Sequence, residues 1–151
     1  MIEREHWGPP PEHWIRFAVD NEVHNGGILS RMRVGQLPDF DERAREAFKA
    51  HGFPVHGMTE WINIHAPRAE TGYEKHYPHT HCNNDGLALI LYLQAGDKPA
   101  PLDVFDGDEV VESIYPEPGL ALYMPDGVKH GARINNGTTK RIAFVVMAHR
   151  K

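Results

Sequence analysis

Three histidines fall within six positions, at His76, His79 and His81, and Cys82 and Asp85 follow closely. Imidazole nitrogens and carboxylate oxygens are the ligands that iron, nickel, zinc and manganese share. His79 and His81 stand at i and i+2. On a strand that spacing puts both side chains on one face, which is how an antiparallel sheet offers two ligands to one ion. A third ligand must come from a distant strand. His130 ends the stretch "GLALYMPDGVKH", where an apolar run meets a tight turn at Pro125 and Gly127. Such a turn returns the chain to a new strand with His130 near its start. The expected metal set is therefore His79, His81 and His130. Asp85 competes with His81 for the second place. His76 is assigned a place behind the ligands or on the surface, because Pro78, two residues on, cannot bind metal. Cys82 reads as a small buried or loop residue, since no histidine–acid pair can be assigned to it.

The elements that must position these groups are short. Twelve prolines and fourteen glycines punctuate 151 residues, a length that suits one domain over 1–151. "PPPEHWIRFAV" reads as a stiff extended segment leading to a strand at Trp14–Val19. "DFDERAREAFKAHG" reads as a helix capped by Asp39, with Glu42 three residues on and Gly52 ending it. Phe40, Ala44, Ala47 and Phe48 share one of its faces. After Gly52 the pattern becomes strands. "WINIH" alternates, "LALILYL" is apolar throughout, and "LDVF", "VVESIY", "LALYM" and "RIAFVVM" follow between turn residues. Asn136-Gly137 signals a hairpin. The expectation is a mainly β chain, a sandwich or jelly roll, with one or two N-terminal helices packed on a sheet.

Composition narrows the function classes. The net charge is −5 and no basic tract stands out, which argues against a nucleic-acid or anionic-membrane partner. One cysteine allows no internal disulfide. No apolar stretch is long enough to span a membrane, and the start lacks the pattern of a signal peptide. The expected location is cytoplasmic.

"HTH" and the later "GLALYMPDGVKH" resemble the two signatures of the cupin superfamily. The second has its spacing of glycine, proline, glycine and histidine. The first departs from it, with six residues between Gly72 and His79 and Asp85 in place of a glutamate. A narrower resemblance covers "WINIHAPRAETGYEKHYPHTHCNNDGLALILYLQ" and "GLALYMPDGVKHGARINNGTTKRIAFVV". These stretches are similar to the 2-oxoglutarate- and iron(II)-dependent oxygenases, most of all the small prolyl-hydroxylase-like group with its bacterial and phage relatives. The resemblance implies a double-stranded β-helix, iron(II) as metal and 2-oxoglutarate as cosubstrate. It also implies an arginine about ten residues after the last metal histidine that holds the cosubstrate's distal carboxylate. Arg141 stands eleven after His130, and Tyr73 matches a tyrosine that bonds the same carboxylate. The family's usual His-x-Asp is His79-Thr80-His81 here.

The leading expectation is thus a hydroxylase acting on a small molecule or a protein side chain. A metal cupin with 2-oxoglutarate-independent dioxygenase or isomerase activity is the alternative, for which Arg141 would be incidental. A non-catalytic sugar- or acid-binding module is the third, and the three spaced histidines count against it. The N-terminal third, with Trp7 and Trp14, is expected to shape the substrate mouth or a homodimer contact. If His81 is the second ligand, Asp85→Ala retains metal while His79→Ala loses it. Elemental analysis of the two purified variants decides the matter, and metal loss in Asp85→Ala would move the ligand role to that carboxylate.

Overall fold

The computed structural model describes residues 2–21, 29–67 and 86–150. His76, His79, His81, Tyr73, Cys82 and Asp85 lie outside them. The elements in chain order are β1 (Glu3–His6), α1 (Glu12–Asp20), β2 (Leu29–Arg31), α2 (Pro38–Ala50), β3 (Gly57–His65), β4 (Gly86–Gln94), β5 (Leu102–Asp106), β6 (Glu109–Ile114), β7 (Leu120–Pro125), β8 (Lys129–Ala132) and β9 (Arg141–His149). Among the described residues the strands pair antiparallel in two sheets, a larger one ordered β1-β7-β4-β9-β3-β2 and a smaller one ordered β6-β5-β8. From β4 onward the chain passes back and forth between the sheets. The fold is a double-stranded β-helix carrying two helices. No helix among the described residues is long and apolar enough to cross a membrane.

Side-chain alternation along the strands creates two cores. On β9, Ile142, Phe144, Val146 and Ala148 join Ile62, Ile64, Leu89, Leu91 and Leu93 in a cluster that also holds Trp14, Phe40 and Phe48 of the helices. In the other phase, Ala143, Val145 and Met147 join Ala88, Ile90, Tyr92, Leu122 and Met124 of the larger sheet and Leu102, Val104 and Ile114 of the smaller one. The central strands β4, β7 and β9 of the larger sheet are therefore buried on both faces, by helices outside and by the smaller sheet inside. This is why "LALILYL" and "RIAFVVM" are apolar at nearly every position. Each fully buried large side chain contributes roughly 1.5–3 kcal/mol of transfer free energy.

Three local expectations are corrected. Trp14–Val19 is not a strand but lies within α1. Pro11 precedes the helix, Glu12 occupies its first turn, and Trp14 and Ala18 are its buried residues. The i, i+4 spacing of these two prevails over the β-like run "WIRFAV". Asp39 does not cap α2, because Pro38 takes the first helical position and Leu37 becomes the N-cap. The Asp39 carboxylate instead accepts the Trp14 Nε1–H at 2.9 Å and meets His13 Nε2 at 2.7 Å, tying the helices together. Asn136-Gly137 does not close a hairpin, since β8 pairs with β5 and β9 pairs with β3 and β4. The segment crosses from one sheet to the other, and Asp97 holds it by accepting Thr138 N–H at 2.7 Å and Thr139 N–H at 3.2 Å. The α2 terminus does follow its signal. Gly52 has φ +73°, and Gly52 N–H reaches Lys49 O while Phe53 N–H reaches Phe48 O, both at 2.9 Å.

Gly119 connects three segments. Its N–H donates to Tyr92 O and its carbonyl accepts Trp7 N–H, both at 2.8 Å. Its φ is +89°, and a Cβ there would overlap the Gly8 carbonyl. Gly119→Ala meets a backbone cost of about 1–2 kcal/mol and a packing cost of about 1–3 kcal/mol. A loss of roughly 2–5 kcal/mol in denaturant unfolding is expected, and a change below about 0.5 kcal/mol would contradict this role.

Glu60, in phase with Ile62 on the helix-facing side of β3, is 2% exposed. It meets the Asp41 carboxylate of α2, which also accepts Arg45 Nε–H at 3.2 Å. Burial, and then the adjacent Asp41, push the Glu60 pKa up from 4.5 to about 8. A carboxyl whose folded pKa is raised contributes stability at low pH, and that stability fades as pH rises towards the folded value. His65, pushed from 6.5 down to about 3, has the opposite dependence below its unfolded value. The clean window is therefore from about pH 6.5 to 8. Thermal melts should show the wild type losing stability across it and Glu60→Gln losing less. Parallel pH profiles would refute the protonated Glu60.

Candidate functional site

Polar groups collect at one end of the inner core. Val104 of β5, an inner-core residue, pairs directly opposite His130 of β8. Directly opposed residues share a face, so His130 faces the space between the sheets, where it is 3% exposed. The strand arrives there from β7 through Pro125, Asp126 and Gly127, with Gly127 at φ +86°. Asp126 secures this turn by accepting the Gly86 N–H at 2.9 Å. His130 Nδ1 lies 2.8 Å from the Val128 carbonyl. A carbonyl can only accept, so Nδ1 carries the proton and, in the neutral ring, Nε2 carries the lone pair. That is the tautomer a metal-binding imidazole needs, oriented by a backbone bond from its other nitrogen.

Arg141 opens β9 in phase with Ala143, Val145 and Met147, and is 4% exposed. It therefore faces inward. Its guanidinium donates from Nε to His65 Nδ1 at 3.0 Å and from NH2 to the same nitrogen at 2.5 Å. NH1 donates to Ala100 O at 3.0 Å, and NH2 also donates to Arg133 O at 2.8 Å. All of these acceptors are uncharged. Among the described residues no carboxylate pairs with Arg141. The nearby Asp103 carboxylate is taken by Arg133, at 2.7 and 3.1 Å, and by Ser113 Oγ–H at 2.6 Å. Burial lowers the Arg141 pKa, but arginine starts so far above neutrality that the charge persists at pH 7. A buried cation without an anion is costly.

The neighbouring inward residues are small or neutral. Ala143, next in phase to Arg141, sits between Asn63 of β3 and Tyr92 of β4 in the pairing register. Tyr92 is 5% exposed and close enough to Arg141 for the two to interact electrostatically. Burial pushes its pKa up to about 12, so it stays a neutral hydroxyl. His130 and Arg141 both face the inner side, between the sheets. The guanidinium contacts Arg133 O, three residues along from His130, a strand length of about 10 Å.

The sequence singled out His130 and Arg141 but not His65 or Tyr92. Both carry a signal in retrospect. His65 shares the phase of Trp61 and Asn63 in "WINIH", and Tyr92 is the one polar tip in "LALILYL". Among the described residues, no three His, Cys, Asp or Glu side chains converge as a metal-binding group; His79 and His81 are not among them.

No known family profile and no curated protein matches this sequence. Solved structures do match it in fold. A Pseudomonas putida prolyl-4-hydroxylase superposes with a TM-score of 0.66 at 15% identity, over 99% of this chain and 92% of the other. The non-heme alpha-ketoglutarate-dependent epimerase SnoN of nogalamycin biosynthesis superposes with a TM-score of 0.70 at 13% identity, over 98% and 78%. A Klebsiella pneumoniae protein with a double-stranded β-helix domain gives 0.52 at 16% identity, over 87% and 86%. At 13–16% identity these likenesses show the fold, the double-stranded β-helix.

Proposed function

We propose that this chain is an iron(II)- and 2-oxoglutarate-dependent oxygenase, a hydroxylase of a small molecule or a peptide side chain. The observation that carries this reading is Arg141, a buried inward cation whose partners among the described residues are all neutral, on the same inner side as His130. A metal-binding sheet with no acidic cosubstrate has no use for such a charge. The likeness to oxygenase structures over nearly the whole chain supports the same reading.

The described residues fit the groups this activity needs. His130 presents Nε2 as a ligand, and His79 and His81 complete the set assigned from sequence. Iron(II), once bound, supplies the redox chemistry that couples decarboxylation of the 2-oxo acid to oxidation of the substrate. Arg141 binds the distal carboxylate of 2-oxoglutarate, for which its permanent charge and planar donors are suited. Tyr92 offers a hydroxyl beside it, in addition to Tyr73, whose role the family resemblance implies. Ala143, next in phase, is small, and Ile90, Val104 and Val145 of the inner core exclude water. A dry site strengthens each of these polar contacts.

Purified protein with iron(II) should convert 2-oxoglutarate to succinate, slowly even without a prime substrate. With zinc(II) in place of iron, 2-oxoglutarate at about a hundredfold its Kd should stabilise the fold by about 2.7 kcal/mol. Arg141→Ala should weaken 2-oxoglutarate about a hundredfold, the low end for losing one partner of a buried charge pair. Wild type that neither binds nor decarboxylates 2-oxoglutarate would overturn the proposal.

A further inference from the structure

The acceptor that holds Arg141 is unusual in kind. Buried arginines are ordinarily held by carboxylates, which supply both the hydrogen bonds and the countercharge. Here a histidine does the holding. His65 and Arg141 are direct cross-strand partners on β3 and β9. One imidazole nitrogen, Nδ1, receives both the Nε–H and an NH2 hydrogen. It must therefore carry the lone pair. Burial first, and the Arg141 charge second, push the His65 pKa down to about 3, so the ring stays neutral. The backbone of His65 is fixed as well. Asn135 Nδ2 donates to His65 O and to Thr139 O, both at 2.8 Å, which locks the end of β3 to the segment entering β9.

The consequence is an arginine oriented on one edge and, among the described residues, uncompensated in charge. His65 takes the Nε side. Arg133 O takes the second NH2 hydrogen and Ala100 O takes one of the two on NH1. Among the described residues the other NH1 hydrogen has no acceptor. An aspartate at position 65 could make the same two bonds, but it would cancel the charge that an incoming carboxylate needs. We propose that His65 is a positioning residue that sets cosubstrate specificity. Its neutral imidazole aims Arg141 without neutralising it, so the cavity selects a 2-oxo acid bearing a second carboxylate over one that lacks it. This inference rests on the oxygenase reading and adds to it the residue that maintains the charge.

The test compares 2-oxoglutarate with 2-oxopentanoate, in which a methyl group replaces the distal carboxylate. Binding of each is measured by calorimetry to the zinc(II)-loaded full chain, with circular dichroism and Tm as controls on folding. His65→Asp is expected to keep or raise Tm and to weaken 2-oxoglutarate at least about tenfold, ~1.4 kcal/mol, with 2-oxopentanoate within about twofold of wild type. His65→Asn, a neutral acceptor placed like Nδ1, should retain the preference. Should His65→Asp fail to fold, His65→Ala against His65→Asn reads the same property, with selectivity lost in the first and kept in the second. Equal selectivity in wild type and His65→Asp, or in His65→Ala and His65→Asn, overturns this inference alone. Equal weakening of both acids also overturns it, because that is the result of a merely structural role. Wild type that binds neither acid overturns the oxygenase reading and this inference with it.

Discussion

The strand from Arg141 to His149 has no solvent face, and the architecture follows from that constraint. Its outward phase must be covered, and α1 and α2 cover it through Trp14, Phe40 and Phe48. Its inward phase must be covered too, and the smaller sheet does so through Leu102, Val104 and Ile114. A strand buried on both faces cannot slip by one residue without carrying Arg141 from the inner cavity into the helix layer. Register, layer order and the direction of the one charged residue are therefore set together. The same logic applies to the adjacent β4, where Leu89 and Leu91 face the helices while Tyr92 faces inward.

Against that apolar background the polar end of the cavity is costly to maintain. Arg141 is satisfied as a hydrogen-bond donor almost completely, yet no carboxylate among the described residues compensates its charge. Those are separate requirements. Neutral acceptors remove the penalty of unmade bonds, while the electrostatic penalty of burial remains until an anion arrives. His130 shows a related economy of design. One backbone bond to Val128 both orients the ring and selects its tautomer.

Much of this was legible in the sequence, for identifiable reasons. The β-rich pattern was plain because buried strands are apolar and separated by prolines and glycines. The α2 face of Phe40, Ala44, Ala47 and Phe48 was readable because 3.6-residue periodicity is local, and all four are buried. The failures were those of local signals answered by non-local partners. The Trp14–Val19 run was too short for its period to separate helix from strand. Asp39 has the chemistry of a cap, but Pro38 and the neighbouring helix redirected it. Asn136-Gly137 has hairpin chemistry, but its two flanking strands belong to different sheets.

The sequence by itself determined the chemical inventory and its phases: an i, i+2 histidine pair, a distant histidine after a tight turn, and an arginine in step with Ala143 and Val145. Those follow from residue type and spacing, which a chain carries before it folds. Only the tertiary structure decided that Arg141 lies buried against a neutral histidine, that Tyr92 adjoins it and that His130 faces the same inner side. These contacts join residues as many as 76 positions apart, His65 and Arg141 among them. Whether a charge is compensated depends on which groups the closing sheets bring against it, and no local pattern records that.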